Sequence, residues 1–240
     1  MRLHRFYIPE KIGLQNEITI HSAELTNQIR RVFRLKTGDS IILFDGSGSD
    51  YECKIDGGDK DSLTFTIIQV SKSRFMPECE VILCAALVKK DTFEWIAEKA
   101  TELGVTKIIP IEAERSEKKN LNNERLNKIV IEASEQSGRG SIPAIEKIMT
   151  LEEVIKSCAG ATCATPINVI AFHTEGEAYA QVQPAQDSSI IIFIGPEGGW
   201  SEKEIELFHS NSIPVKCLGT QVLRAETAVV AALSVVMLGK

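Results

Sequence analysis

The chain has 240 residues, 43% of them hydrophobic, and a formal net charge of −6. That is enough apolar material for a sizeable buried core, and the composition is not that of a disordered chain. The acidic balance excludes wholesale nonspecific coating of nucleic acid but leaves room for a local basic patch, since binding follows charge distribution as well as its total.

Residues 1–73 read as short strands separated by turns. The turn Lys36-Thr37-Gly38-Asp39 precedes an apolar run at 41–44. Asp45-Gly46-Ser47-Gly48 breaks the chain before an alternating stretch at 51–55, and Asp56-Gly57-Gly58-Asp59 turns it into a third strand at 63–68. Strands at this spacing predict a small β-barrel or sandwich, interrupted by one helix near 22–32. Ser71-Lys72-Ser73-Arg74 reads as a hinge, giving expected domains of 1–73 and 74–240.

Beyond the hinge, strand and helix alternate. A buried strand at 81–88 is followed by a helix with a capping-box spacing at Asp91 and Glu94 and a stop at Gly104. A strand at 107–111, a helix at 122–137 and a short strand at 144–148 come next. Thr150 and Glu153 cap another helix, and strands fall at 167–172 and 190–194. Ser201 and Glu204 cap the helix after that, and a strand at 215–218 leads to a last helix at 226–238. Alternation on this scale predicts an α/β unit with a mainly parallel sheet covered on both faces. Residues 1–74 carry eleven Lys/Arg against ten Asp/Glu, and the remainder sixteen against twenty-three. The smaller region is therefore the better candidate for touching a polyanion.

The opening residues have no signal-peptide core. The apolar run at 228–238 is well short of the ~20 residues that span a bilayer. A cytoplasmic protein without membrane attachment is expected. The six cysteines (53, 79, 84, 158, 163 and 217) form no C-x-x-C pair and have no His at zinc-finger spacing. Reduced structural thiols and no metal site are the expectation.

Two strand–loop–helix joins carry the chemistry. Ile194-Gly195-Pro196-Glu197-Gly198-Gly199-Trp200-Ser201 allows close backbone approach and positive φ, stiffened by Pro196, but lacks both G-x-G-x-x-G and a Lys-Ser/Thr ending. The same residues also suit a plain tight connection with an N-cap. Leu218-Gly219-Thr220-Gln221-Val222-Leu223-Arg224-Ala225-Glu226-Thr227 precedes a helix that is apolar nearly all round, hence buried. In open parallel sheets ligands sit beyond the carboxyl ends of strands, so the two loops form opposite walls of one pocket. Their neutral and acidic character suits a ribose and an adenine better than a triphosphate.

G-P-E-G-G-x-S-x-x-E and L-G-x-x-x-L-R-x-E-T-A resemble the RsmE family of SPOUT-class RNA methyltransferases. So do R-F-Y-I near the start, R-V-F-R-L-K-x-G-D at 31–39, K-x-D-x-x-E-W-I-x-x-K-x-T-E-L-G-V at 89–105, E-R-S at 114–116 and E-A-S-E-Q-S-G-R-x-x-I-P at 132–143. The resemblance implies a C-terminal SPOUT-type parallel sheet with a deep trefoil knot, an exception to the usual unknotted topology, and an N-terminal PUA-like β-barrel that helps hold RNA. It implies a homodimer that uses S-adenosyl-L-methionine to methylate N3 of one uridine in 16S rRNA, in the assembled or nearly assembled small subunit.

By motif position the cofactor pocket would be lined by Ile194, Gly195, Pro196, Glu197, Gly198, Gly199, Leu218, Gly219, Leu223, Arg224, Glu226 and Thr227. His173, Thr174 and Glu175 would supply a third wall. Candidate catalytic groups are Glu197 as proton acceptor, with Arg224 and Arg115 as electrostatic stabilisers. In the alternative reading Glu197 braces its own loop and Arg224 pairs with Glu226. Expected phosphate contacts are Arg5, Arg30, Arg31, Arg34, Lys36, Arg115 and Arg139, each with a solvated basic face as its alternative; Arg31 and Arg34 share a face if their helix persists. Trp95 reads as packing, within the chain or at a dimer interface, with a base-stacking platform as its alternative. Two departures from the family pattern, Asn27-Gln28 in place of paired histidines and Phe33 in place of Leu, bear on the N-terminal RNA contact. The competing readings are an RNA-binding factor that has lost catalysis and an enzyme of another adenine nucleotide.

Overall fold

The computed structural model describes residues 3–77, 79–116, 120–160, 167–179 and 189–237. Leu238, at the end of the last expected helix, and Cys163 lie outside the described residues. Two compact units are present, residues 1–76 with 134–142, and residues 77–133 with 143–240.

The N-terminal unit is a curled five-stranded sheet in the order β1-β3-β4-β5-β2. The strands are β1 Arg5–Tyr7, β2 Glu17–His21, β3 Ser40–Phe44, β4 Ser49–Gly57 and β5 Ser62–Lys72. β1 runs parallel to β3, and the other pairs are antiparallel. Period-2 burial puts Ile18 and Ile20 of β2, and Tyr51, Cys53 and Ile55 of β4, on the inner side with Phe6 and Phe65. β1 and β2 are strands that the sequence reading did not assign; both are short and lie at the ends of the sheet.

The helix expected at 22–32 is shorter and changes character. Ser22 caps α1 (Ala23–Asn27), its side chain accepting from the Leu25 N–H at 3.2 Å. A π-helical turn follows at Gln28–Val32, and Arg34 adopts the left-handed φ of 58°. Arg34 is therefore off the helix, and the shared face with Arg31 is lost.

The second unit holds an all-parallel sheet in the order β12-β10-β11-β6-β7-β8, with β9 also on β7. Its strands are β6 Val81–Ala86, β7 Lys107–Glu112, β8 Ala144–Ile145, β9 Met149–Thr150, β10 Ile167–Ala178, β11 Ser189–Ile194 and β12 Val215–Cys217. β11 is buried along its whole length, as a strand covered on both faces must be. The helices are α2 Lys90–Glu102, α3 Asn123–Ser137, α4 Leu151–Gly160, α5 Glu202–Ser210 and α6 Ala225–Met237.

Two of the three expected capping boxes form. Ser201 and Glu204 cap α5 reciprocally, and Thr150 and Glu153 exchange bonds ahead of α4. Asp91 does not cap α2, which starts one residue earlier behind Lys89 and has no side-chain cap. The Glu94 carboxylate is instead taken by Lys90 at 3.6 Å and Arg125 at 3.3 Å. Gly104, at φ 99°, ends α2 as expected. α6 is not buried all round. Val229, Ala232 and Leu233 are inside, packed towards α2 and β11, but Val235 is 38% exposed. Among the described residues no helix is long and apolar enough to cross a membrane.

Candidate functional site

A cavity of ≈ 720 Å³ opens at the carboxyl ends of β11 and β12 beside an irregular stretch within β10, the edge where an open parallel sheet places its ligands. Its first wall is Ile194–Trp200 without a gap, the second includes Leu218, Gly219 and Leu223, and the third is Phe172–Glu175. The third wall exists because β10 slips against β12. Phe172 and Glu177 both pair with Lys216, so residues 173–176 loop out between them. Gly176 is required there, since a Cβ would lie 2.5 Å from the Lys216 carbonyl carbon. Lys216 also bonds the Glu177 carboxylate at 2.6 Å and holds it below the usual carboxylate range.

The glycines of the first wall serve the protein's own packing. A Cβ on Gly195 would sit 3.2 Å from the Trp200 indole, and one on Gly198 3.2 Å from the Arg115 side chain. Gly199 takes φ 68°, which disfavours a side chain, and faces His173. Trp200 is 2% exposed and donates through Nε1 to the Phe172 carbonyl at 3.2 Å, joining the first wall to the third. His173 Nδ1 accepts from the Glu175 N–H at 3.2 Å, and its Nε2 lies on the Gly199 side.

The cavity brings together His173, Thr174, Glu175, Ile194, Gly195, Pro196, Glu197, Gly198, Gly199, Leu218, Gly219, Leu223 and Arg115. Arg224, Glu226 and Thr227 are not in its lining, although Ala225 and Ala228 beside them are. Trp200, Ile205 and Val222 also line it. Trp200 and Val222 stood inside the two motif stretches as variable positions, and nothing in the sequence marked Ile205.

Neither bracing alternative is seen. Among the described residues the Glu197 side chain makes no hydrogen bond or ion pair, and Arg224 forms no pair with Glu226. Glu204 and Arg115 brace the loop instead. Glu204 accepts from the Ser201 N–H at 2.8 Å, and Arg115 donates to the Gly198 carbonyl at 2.9 Å.

The other cations divide sharply. Arg5 is internal to the N-terminal unit: it pairs with Asp50 at 2.5 Å, donates to the Arg139 carbonyl at 3.0 Å and lies over the Phe44 ring. Arg139 is 3% exposed, and burial pulls its guanidinium down to about 10. These two do not face solvent and so do not extend a phosphate-binding surface. Arg30 is exposed but holds the Gly58 and Asp59 carbonyls at 2.9 and 2.8 Å. Arg31, Arg34 and Lys36 are exposed, and their side chains have no partner among the described residues.

A family model described as an RNA methyltransferase domain matches residues 76–237, and one described as an RNA methyltransferase PUA domain matches residues 29–68. The ribosomal RNA small subunit methyltransferase E of Rickettsia conorii is 31% identical over 99% of this chain and 96% of its own. That of Bacillus subtilis is 30% identical over 90% and 88%. Among solved structures, a Legionella pneumophila methyltransferase in complex with bound SAM is 28% identical, with a TM-score of 0.84 over 98% of this chain and 97% of that one. The fold recurs in a Neisseria gonorrhoeae ribosomal RNA small subunit methyltransferase E bound to S-adenosyl methionine, at TM-score 0.85 and 24% identity over 97% and 96%. Matched over both its units, this chain belongs to the ribosomal RNA small subunit methyltransferase E family.

Proposed function

We propose that this protein methylates N3 of a single uridine in 16S rRNA, using S-adenosylmethionine held in the cavity at the ends of β11 and β12. The carrying observation is the cavity's lining. Among the described residues it is glycine-rich and acidic, with Glu175, Glu197, Glu202 and Glu206 against the single cation Arg115, and contains no lysine. That chemistry fits a cationic sulfonium with a neutral ribose and adenine, and disfavours a triphosphate. The relatives named above, and the Legionella structure with its bound SAM, support the same cofactor.

When bound, S-adenosylmethionine would supply an electrophilic methyl on a sulfonium that becomes a neutral thioether on transfer. The chain must then hold the base in line and accept the N3 proton, a positioning role that contributes several kcal/mol in enzymes generally. N3 lies on the pairing edge, so the base must be unpaired to enter. Glu197, exposed and uncommitted at the cavity wall, is assigned as the proton acceptor. Arg224, equally uncommitted beside the cavity, stabilises the developing uracil anion.

Glu197→Gln should lower kcat about 100-fold with little change in cofactor Kd; an unchanged kcat would remove Glu197 from the mechanism. Arg224→Ala should reduce turnover more than cofactor binding, and equal losses would make it a binding residue. The reaction itself is tested by mass-spectrometric mapping of 16S rRNA from a deletion strain. One 3-methyluridine should disappear and return with the plasmid-borne gene; an unchanged map overturns the assignment.

The assembled small subunit as substrate, the cytoplasm as compartment and a homodimer as working form belong to the same proposal. So does the trefoil knot. β12 lies beyond β10, while α6 after it returns to β11 and α2, a path compatible with threading. Mechanical stretching of the second unit should yield a chain shorter than its contour length; full extension would mean no knot.

A further inference from the structure

Three of the five residues from Gly195 to Gly199 are glycine. Glycine loses more conformational freedom on ordering than any other residue, so a pocket wall made this way must be held from outside. Arg115, in the loop after β7, donates through Nη1 to the Gly198 carbonyl at 2.9 Å and the Trp200 carbonyl at 3.4 Å. Its stem packs on Gly198, with its Cβ 3.2 Å from where a Gly198 Cβ would sit. Glu204, 8% exposed, divides its carboxylate. Oε2 accepts from the Ser201 N–H at 2.8 Å, and Oε1 accepts from the Glu114 N–H at 2.9 Å. The anchoring loop is itself closed, with the Ser116 hydroxyl accepting from the Ala113 N–H at 3.2 Å and the Ser116 N–H donating to the Ala113 carbonyl at 3.1 Å. Residues 113–116 thus send donors into the glycine loop through Arg115 and receive an acceptor from its capping residue.

We propose that Arg115 and Glu204 are positioning residues that lock the glycine loop as a preformed wall of the cavity. The inference rests on the reading of that cavity as the S-adenosylmethionine site. A wall in place only part of the time lowers the apparent affinity by that fraction. In this proposal Arg115 acts through the loop, with its Nη1 held by two carbonyls, and not on the reacting atoms or on phosphate.

The test uses the full chain and two measurements, hydrogen exchange of peptides covering 195–201 without ligand and calorimetric titration with S-adenosylmethionine. Arg115→Ala should speed exchange of the Gly199 amide, which is bonded to the Pro196 carbonyl at 2.8 Å, about tenfold and weaken the cofactor Kd about tenfold. kcat at saturating cofactor should stay within about twofold, since only the competent fraction changes. Arg115→Lys, with a point charge in place of the fork, should recover part of the affinity. Glu204→Gln keeps a residue that serves the capping box but turns an N–H against the Glu114 N–H. It should loosen the loop similarly while α5 stays folded, and the double variant should lose less than the product of the singles. Unchanged loop exchange in both single variants overturns the proposal. So does a fall in kcat with Kd unchanged, which would make Arg115 catalytic, or a loss confined to RNA affinity, which would make it a phosphate contact. If the wild-type protein fails to bind S-adenosylmethionine, the cofactor reading fails, and the exchange experiment still decides whether the lock exists.

Discussion

Asp45 illustrates how much one carboxylate can organise. It is 2% exposed and accepts from the Ile12 N–H at 3.1 Å and the Ser47 N–H at 2.9 Å. Burial works to raise its pKa, but the Ser47 and Ile12 bonds and the nearby Lys11 ammonium outweigh that and leave it below the ordinary carboxylate value. A lowered folded-state pKa stabilises the fold above the unfolded-state value and is lost as pH falls through the folded one. Stability of the N-terminal unit should therefore decline below about pH 4. Asp45→Ala should cost about 2 kcal/mol at pH 7, chiefly from the buried Ile12 N–H left without an acceptor and less from the part-buried Ser47 N–H, and should flatten that acid limb; urea titrations at pH 7 and 3.5 measure both. At Gly195 the constraint is steric. Gly195→Ala brings a methyl against the Trp200 ring and should cost about 1–3 kcal/mol in chemical denaturation, with loss of cofactor binding.

Elements were legible where local chemistry alone decides them. The Ser201–Glu204 and Thr150–Glu153 boxes, the buried β11 and the stop at Gly104 depend on neighbours a few residues away. Asp91–Glu94 failed because the deciding partner, Arg125, lies 31 residues along the chain. β1 was missed because three residues carry little periodicity and gain strand character only from pairing with β3. The helix pair α2–α6 carries an expectation of its own. Trp95 on α2 is 40% exposed and Val235 on α6 38%, and an apolar helix face left open asks for cover. If a second copy covers it, Trp95→Asp with Val235→Lys should shift sedimentation from dimer to monomer; an unshifted dimer would place the interface elsewhere.

For the molecule as a whole, the cavity was the most legible feature. In a parallel sheet the loops after neighbouring strands meet at one edge, so motifs far apart in sequence converge by topology alone. The fates of the individual cations were not legible. Asp50 claims Arg5, the Gly58 and Asp59 carbonyls claim Arg30, and Gly198 claims Arg115. Arg31, Arg34 and Lys36 remain, so log Kd for RNA should vary with log salt with a slope of roughly 2–3 in magnitude. Alanine at all three should bring that slope near zero, and an unaltered slope would put the phosphate contacts elsewhere.

The grouping of residues 134–142 with the N-terminal unit also sets a timetable for synthesis. The Tyr7 N–H donates to Glu135 at 2.8 Å, Arg5 donates to the Arg139 carbonyl at 3.0 Å, and Phe75 bridges to Arg139. A nascent chain that has released residues 1–76 therefore still lacks part of its first unit. At roughly 5–20 residues per second the missing segment arrives several seconds later. Until then β1 waits on the translating ribosome with the Tyr7 amide unpaired, an opening for chaperones that a contiguous domain would already have closed.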